Sequence, residues 1–275
     1  MISLITPSLN QLEWLQLCAA SVADQKVELE HIVQDAGSGP ELRSWAAEQT
    51  NLRLFIEKDE GMYDAINRGL RRATGDICAY LNCDEQYLPG ALAKVDRFFA
   101  THPGVDVLFG DFILVDTAGN PLSYRRVVLP TLQHLRLAPL GTGSCATFFR
   151  RSLLERGFYF DPQWKASGDA VWVEALLKAK VRMAVMREAI AVFTFTGENL
   201  GGAAAARREG GRRRGPGRRY ASLRRAIALL AYRLRKIRAG AYRTRSLAVE
   251  IYRLDSPQKR QRKVAGNVGF AWPSP

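Results

Sequence analysis

The sequence lacks any long apolar run: nowhere do its 275 residues approach the roughly 20 uninterrupted apolar positions a membrane-spanning helix needs. Its start, Met1-Ile2-Ser3-Leu4-Ile5-Thr6-Pro7, has neither the basic n-region nor the extended apolar h-region of a secretory signal, so a cytoplasmic location is the expectation. Cysteines are few. The four present (Cys18, Cys78, Cys83, Cys145) form no CxxC pair and sit mostly in apolar contexts, which excludes a disulfide framework or zinc cluster and reads as reduced, structural thiols. His31, His102 and His134 are scattered and suggest no shared site. The last quarter of the chain is poor in acid. Residues 200–275 hold 20 basic and 3 acidic side chains, a net of +17, whereas residues 1–199 hold 20 basic and 24 acidic, a net of −4. The overall charge of +13 is therefore a property of the C-terminal part, and the main body is not a basic nucleic-acid binder.

What is present is ordinary globular material, 47% hydrophobic and 24% charged, enough for one well-buried core over residues 1–199. Short β-branched or apolar runs alternate with helical patterns through the first hundred residues, the mark of βαβ units on a mostly parallel sheet flanked by helices. Strands are predicted at 2–6, 29–34, 52–57, 77–81 and 105–109. Helices are predicted from an Asn10 cap to about residue 24, at 62–73 and at 88–100, with a hairpin turn at Ala118-Gly119-Asn120. Farther on, 145–149 reads as a strand, 150–156 and 170–179 as helices, and 181–195 as an extended apolar segment. A Gly/Ala/Arg stretch, 200–219, reads as a linker. Beyond it, 220–275 reads as a basic, partly helical extension with Leu223, Ile227, Leu230, Leu234 and Ile237 on one helical stripe.

In a parallel α/β sheet, ligands bind at the carboxyl ends of the strands. Four acids lie there by this reading: Asp35, Asp59, Asp84 and Asp111 follow successive strands. Asn82-Cys83-Asp84-Glu85 places hard oxygen donors at the end of an apolar strand, which suits Mg²⁺ or Mn²⁺ bridging phosphate oxygens. On spacing alone the same carboxylates serve equally as a helix N-terminal charge. In the run from Asp59 to Gly69, Asp64, Asn67 and Arg68 share a helix face, so polar groups converge near the strand ends.

These residues resemble an inverting family 2 glycosyltransferase of the GT-A (Rossmann-like) α/β fold, the nucleotide-sugar-dependent group that builds bacterial polysaccharides and lipopolysaccharides. The resemblance covers about residues 1–195. It rests on Thr6-Pro7-Ser8-Leu9-Asn10, Asp35-Ala36-Gly37-Ser38, the Asp59–Gly69 run, Ala73-Thr74-Gly75-Asp76 and Leu81-Asn82-Cys83-Asp84-Glu85 in this order and spacing. It implies that Thr6, Pro7, Ser8 and Asp35 contact the nucleotide base, and that Asp59 and Gly61 line the base and ribose pocket. Asp64 and Asn67 would lie near the ribose and diphosphate, and Asn82 and Asp84 would occupy the metal-binding DxD position, with Asp84 the direct ligand. Asn82 and Glu85 depart from the most acidic form of that motif. The resemblance also implies a general base at the start of a late helix, in Gly168-Asp169-Ala170-Val171-Trp172, which makes Asp169 the candidate; as a bare sequence feature Asp169 is equally a helix N-cap. Trp164 and Trp172 offer aromatic surface for a sugar ring. Ser144-Cys145 stands where similar sequences often carry a His-Gln pair on the acceptor side, so Ser144 joins the acceptor candidates.

The function so implied is metal-dependent transfer of a sugar from a UDP- or GDP-sugar to a saccharide or lipid-linked hydroxyl. Two other classes remain in view. A nucleotidyltransferase making sugar nucleotides would carry a Gly-rich, basic phosphate loop after the first strand, and Thr6–Asn10 is neither. A noncatalytic basic scaffold would bind nucleic acid through its C-terminal part and have no use for Asp84 and Asp169. For the extension itself, RNA, an anionic membrane surface and plain solvation compete. Lipid-linked acceptors make peripheral attachment to the inner leaflet the most economical reading.

Overall fold

The computed structural model describes residues 1–197, 199, 208–211 and 222–272; most of the expected linker, 200–207 and 212–219, therefore lies outside the described residues. Strands β1 (Ile2–Ser8), β2 (Leu29–Asp35), β3 (Arg53–Ile56) and β4 (Ile77–Tyr80) pair in the order β3-β2-β1-β4, all parallel. β1 and β4 are covered on both faces: Ile2, Leu4, Ile5, Cys78 and Ala79 are buried together with the polar Ser3 and Thr6 of β1, and β4 reads as a continuous apolar run. Helices α1 (Leu12–Ala23), α2 (Pro40–Ala47) and α3 (Met62–Arg72) make the crossovers. Leu70, Ile66 and Tyr63 of α3 enter the main core, while Asp64 and Arg68 stay on its half-buried side.

Past β4 the sheet becomes mixed. β8 (Thr147–Arg150) lies antiparallel between β4 and β6 (Val107–Asp116), β9 (Met183–Phe195) runs parallel to β6, and β5 (Glu85–Tyr87) pairs antiparallel with β9. β7 (Pro121–Arg125) returns on β6 through the expected hairpin. Helices α4 (Ala91–Thr101), α5 (Leu132–Leu137), α6 (Ser152–Glu155) and α7 (Gly168–Lys178) complete this α/β body. The four cysteines are free and buried, as their contexts suggested.

Three expectations change. Asn10 does not cap α1: Gln11 holds that position, and Asn10 takes a left-handed φ of 53° with its N–H donated to Ser38 Oγ. Asp111 does not follow a strand but lies within β6, fully buried, because the strand continues to Asp116. Its carboxylate accepts from the Val127 N–H and the Tyr124 hydroxyl and pairs with Arg126 at 3.0 Å. Burial raises its pKa, and these partners offset only part of the rise.

The third change concerns the basic extension, which is a docked module. Helix α8 (Ser222–Arg238) leads into an antiparallel hairpin of β10 (Arg245–Arg253) and β11 (Ser256–Val268). The Arg260 guanidinium grips Asp24 at the end of α1 with bonds of 2.6 and 2.8 Å and also reaches the Tyr87 carbonyl. Gln86 and the Tyr252 backbone exchange two bonds of 2.9 Å, and the Tyr124 N–H donates to the Gly269 carbonyl. α8 lies against α5, where Tyr232 stacks on His134 at 3.6 Å. Its stripe faces outward: Ile227, Leu230, Leu234 and Ile237 are all exposed. The Leu223 side chain lies outside what is described. Among the described residues, no helix is long and apolar enough to cross a membrane.

Candidate active site

Because β1 to β4 are parallel, their carboxyl ends meet along one edge, and the loops leaving them are tied together. The Ala36 N–H donates to the Ser8 carbonyl at 3.0 Å, the Glu57 N–H to the Asp35 carbonyl at 2.9 Å, and the Cys83 thiol to the Pro7 carbonyl at 3.2 Å. Within this edge Asp35 is fully buried, and its Oδ2 accepts from the Gly37 and Ser38 N–H groups at 2.8 and 2.7 Å. It builds the loop after β2. The Thr6 hydroxyl is also committed, lying buried against His31 Nε2 at 2.9 Å, so Thr6 has only its backbone to offer a ligand. Among the described residues, Ser8 Oγ and Asn82 Oδ1, by contrast, are buried without a hydrogen-bond partner. Buried polar atoms are nearly always satisfied, so an orphaned pair at a loop edge is what a ligand site leaves when considered as protein alone.

Beside them lies an acidic pair. Glu85 begins β5 and is fully buried, accepting from the Asn82 N–H at 2.9 Å and the Ser144 hydroxyl at 2.7 Å. Asp84, half-buried, accepts from the Asn199 amide at 3.0 Å. Burial raises the pKa of both carboxyls, and repulsion from Asp84 raises Glu85 further. The two resist carrying two negative charges together. A cation would relieve that conflict, and the Asp84 carboxylate and the Asn82 oxygen are the hard-oxygen donors nearby. No cluster of three His, Cys, Asp or Glu side chains suited to a metal exists among the described residues. The donors present instead fit the sparse mode of Mg²⁺ or Mn²⁺, in which one or two carboxylates hold the ion and substrate phosphates and water complete its shell.

Asp169 stands in the first turn of α7, half-buried, beside a small void of about 10 Å³ that Thr142, Ser144 and Trp172 also border. The Tyr63 hydroxyl accepts from the Asp169 N–H at 3.2 Å and lies 3.5 Å from its Oδ1. Burial first, and then the Asp169 charge, push the Tyr63 phenol well above its ordinary pKa, so it remains a hydroxyl. Gly168 is required here, because a Cβ at this position would sit 2.7 Å from the Tyr63 ring. Ser144 connects the two acidic centres: it borders the same small void as Asp169 and donates to Glu85.

The remaining predicted residues divide. At the start of α3, Gly61 adopts a φ of 122°, open to glycine, and its N–H donates to Asp59 Oδ1 at 2.9 Å. Asp64 accepts from the Glu60 N–H and from Arg68; burial would raise its pKa, but these bonds win and hold it below the usual carboxylate range. Asn67 is brought to this region but is not free for a ribose or diphosphate. Both ends of its buried amide clamp the Phe160 backbone, at 2.7 and 3.0 Å. Trp172 is core rather than platform: it is 3% exposed, stacks on Phe160 at 5.0 Å and donates its indole N–H to the Phe158 carbonyl. Trp164 remains half-buried in the loop before α7.

Sequence reasoning did not single out three groups found here, and it counted Glu85 as one of two carboxylates offering hard oxygen donors without reading its burial. Tyr63 carried a signal in its place two residues after Gly61. Asn199 and Glu209 carried none, since each lies far along the chain from its partner. Glu209 accepts from the Lys165, Ala166 and Ser167 N–H groups, fixing the loop that delivers Asp169.

Comparison with known proteins bears on the family and the fold. The family model for glycosyl transferase family 2 matches residues 3–158. A PGL/p-HBAD biosynthesis glycosyltransferase of Mycobacterium bovis is 36% identical over 124 residues, 42% of this chain and 48% of that protein. The match thus spans about half the length of that relative. An uncharacterized glycosyltransferase of Nostoc sp. is 26% identical over 215 residues, covering 72% of this chain and 66% of its own length. Among solved structures, S. aureus TarS 1-349 in complex with UDP superposes with a TM-score of 0.57 at 21% identity, over 70% of this chain and 60% of that one. The mannosyltransferase PcManGT from Pyrobaculum calidifontis, in complex with GDP-Man and Mn²⁺, gives a TM-score of 0.53 at 20% identity, over 70% and 56%. At those identities the structural likeness establishes the α/β fold. The family match extends over more than half of the sequence and ends beyond the acidic pair. The chain belongs to glycosyl transferase family 2.

Proposed function

We propose that this protein transfers a sugar, with inversion, from a UDP- or GDP-sugar to a saccharide or lipid-linked hydroxyl in cell-surface polysaccharide synthesis. The observation that carries the reading is the link between the two acidic centres: Ser144 bonds Glu85 of the acidic pair at 2.7 Å and borders, together with Asp169 of α7, the same small void. Solved neighbours bound to UDP and to GDP-Man support a nucleotide-sugar donor.

In this reading the loops after β1 to β4 receive the nucleotide. Ser8 Oγ and Asn82 Oδ1 supply unpartnered polar atoms, while Asp59, Gly61 and Asp64 shape the α3 side. Asp84, with Glu85 and Asn82 beside it, would hold Mg²⁺ or Mn²⁺. When bound, the ion supplies Lewis-acid neutralisation of the diphosphate charge. Asp169 takes the proton of the acceptor hydroxyl; the freed oxygen bonds to the anomeric carbon as the bond to the diphosphate breaks, and the nucleoside diphosphate leaves with the electron pair. Tyr63 and the Ala170 N–H, at 2.7 Å from Asp169 Oδ1, orient the carboxylate. The basic extension, with its outward apolar stripe, suits peripheral attachment to an anionic inner leaflet.

The test combines binding and turnover. Thermal shifts with UDP and GDP, with and without Mn²⁺, should show stabilisation by one nucleotide that the ion increases and that Asp84→Ala abolishes. Asp169→Asn should bind the same nucleotide normally yet lose transfer by a factor of about 10² to 10⁴. Full transfer by Asp169→Asn removes the base assignment, and ion-independent binding removes the metal.

A further inference from the structure

A second polar cavity lies away from the strand ends, where the extension meets the α/β body. After Arg238, α8 stops in a turn at Gly240, whose φ is 70°, and the chain doubles back into β10. That reversal sets Arg235 and Arg238 beside Arg243 and Arg245 and opposite Arg126, just after β7, and Arg187 on β9. Together the six guanidinium-bearing side chains line a cavity of about 540 Å³ that, among the described residues, no carboxylate lines.

Among the described residues, one of these cations forms an ion pair: Arg126 meets buried Asp111 at 3.0 Å, and its Nε is buried without an acceptor among them. Others are held by neutral groups: Arg187 donates to the Val127 carbonyl, Arg235 to the Leu129 carbonyl at 2.7 Å, and Arg245 lies over the Tyr124 ring at 4.5 Å. Backbone carbonyls and a ring fix direction without cancelling charge. The surrounding field is also positive: burial, then the nearby Arg125 cation, push the Lys236 ammonium below its ordinary pKa. Guanidinium forks match phosphoryl oxygens in geometry and charge, and several converging on one cavity without acid are the usual means of holding a phosphate or diphosphate.

We propose that this six-arginine cavity binds a phosphate or diphosphate group, separately from the donor site. Two sources share that chemistry. One is a soluble anion; the other is the headgroup of a lipid, for which the exposed Ile227, Leu230, Leu234 and Ile237 stripe on α8, ending one residue before Arg238, provides an apolar neighbour. The inference does not depend on the transferase reading, since none of the residues assigned to the donor or to Asp169 lines the cavity.

The experiment uses the full chain. Arg238→Gln/Arg243→Gln removes two exposed cavity cations, and Arg233→Gln/Arg262→Gln removes the same charge from exposed positions outside it. Titration with inorganic pyrophosphate is carried out at constant ionic strength in an Asp84→Ala background, so that the acidic pair does not contribute. Flotation is measured with phosphatidylcholine vesicles with and without phosphatidic acid. The cavity pair should weaken pyrophosphate binding, phosphatidic-acid-dependent flotation, or both, by at least about tenfold relative to the charge-matched control. Loss in the pyrophosphate arm alone identifies a soluble ligand, and loss in the flotation arm a lipid headgroup. If the cavity pair and the control behave alike in both arms, or wild type binds neither probe, the proposal fails.

Discussion

Replacing Glu85 by Gln tests whether the acidic pair is held under electrostatic conflict. Glu85 is fully buried, and its pKa rises from 4.5 to about 8, first through burial and then through Asp84, itself raised to about 6. The unfolded chain releases the Glu85 proton near pH 4.5, whereas the folded chain keeps it until about pH 8. Between those limits the folded state binds more protons, so stability is fullest below the lower value and falls as pH rises toward the upper one. One such proton changes stability by about 1.4 kcal/mol per pH unit. From pH 5.5 to 7.5 the wild-type chain should therefore lose up to roughly 3 kcal/mol relative to Glu85→Gln. Gln also gives up one accepted bond, from Ser144 or from the Asn82 N–H. That costs about 1–3 kcal/mol at either pH and cancels in the comparison. Because the two carboxyls are coupled, the measured dependence belongs to the pair. The assay is urea denaturation of both proteins at the two pH values. A wild-type minus variant difference that stays constant from pH 5.5 to 7.5 refutes the conflict.

Other positions give sharper structural outcomes. Asn67→Ala strands the buried Phe160 N–H and carbonyl and should cost about 2–5 kcal/mol in chemical denaturation, with nucleotide affinity retained if the protein is held below its Tm. Gly168→Ala forces a methyl group against the Tyr63 ring and should cost about 1–3 kcal/mol; because the shift moves the hydroxyl next to Asp169, transfer should fall more than nucleotide binding does. Trp172→Phe removes the indole bond to Phe158 but keeps aromatic stacking. It should lower Tm by a few degrees, corresponding to about 1 kcal/mol, with acceptor KM unchanged; a selective rise in KM would restore Trp172 as a sugar platform.

The four parallel strands were legible because burial on both faces writes an apolar-rich run into β1 and an unbroken one into β4, and because α3 carries its polar and apolar residues on separate faces. β5 was not. Its three residues, Glu85-Gln86-Tyr87, contain two polar side chains whose burial depends on partners elsewhere: Ser144 for Glu85 and Tyr252 for Gln86. The C-terminal hairpin did leave a trace, since Leu247, Val249 and Ile251 alternate along β10 and the last two are buried, but its charge drew attention from its period. For the candidate site, motif and family resemblance pointed to Asp84 and Asp169. The fate of Asn67 was not, because a polar residue on a helix face looks the same whether it meets a ligand or a distant backbone.

The Arg260–Asp24 clasp also bears on how the chain acquires its fold. Asp24 closes α1, early in the sequence, while Arg260 follows some distance beyond β9. During synthesis the α/β body therefore emerges with the end of α1, the polar side of β5 and the backbone of Tyr124 still uncovered. The hairpin arrives later as a clamp across all three. Cutting the chain after β9 would not liberate a self-sufficient catalytic unit; it would leave a permanent version of that half-dressed nascent state, with an exposed edge open to pairing with another molecule.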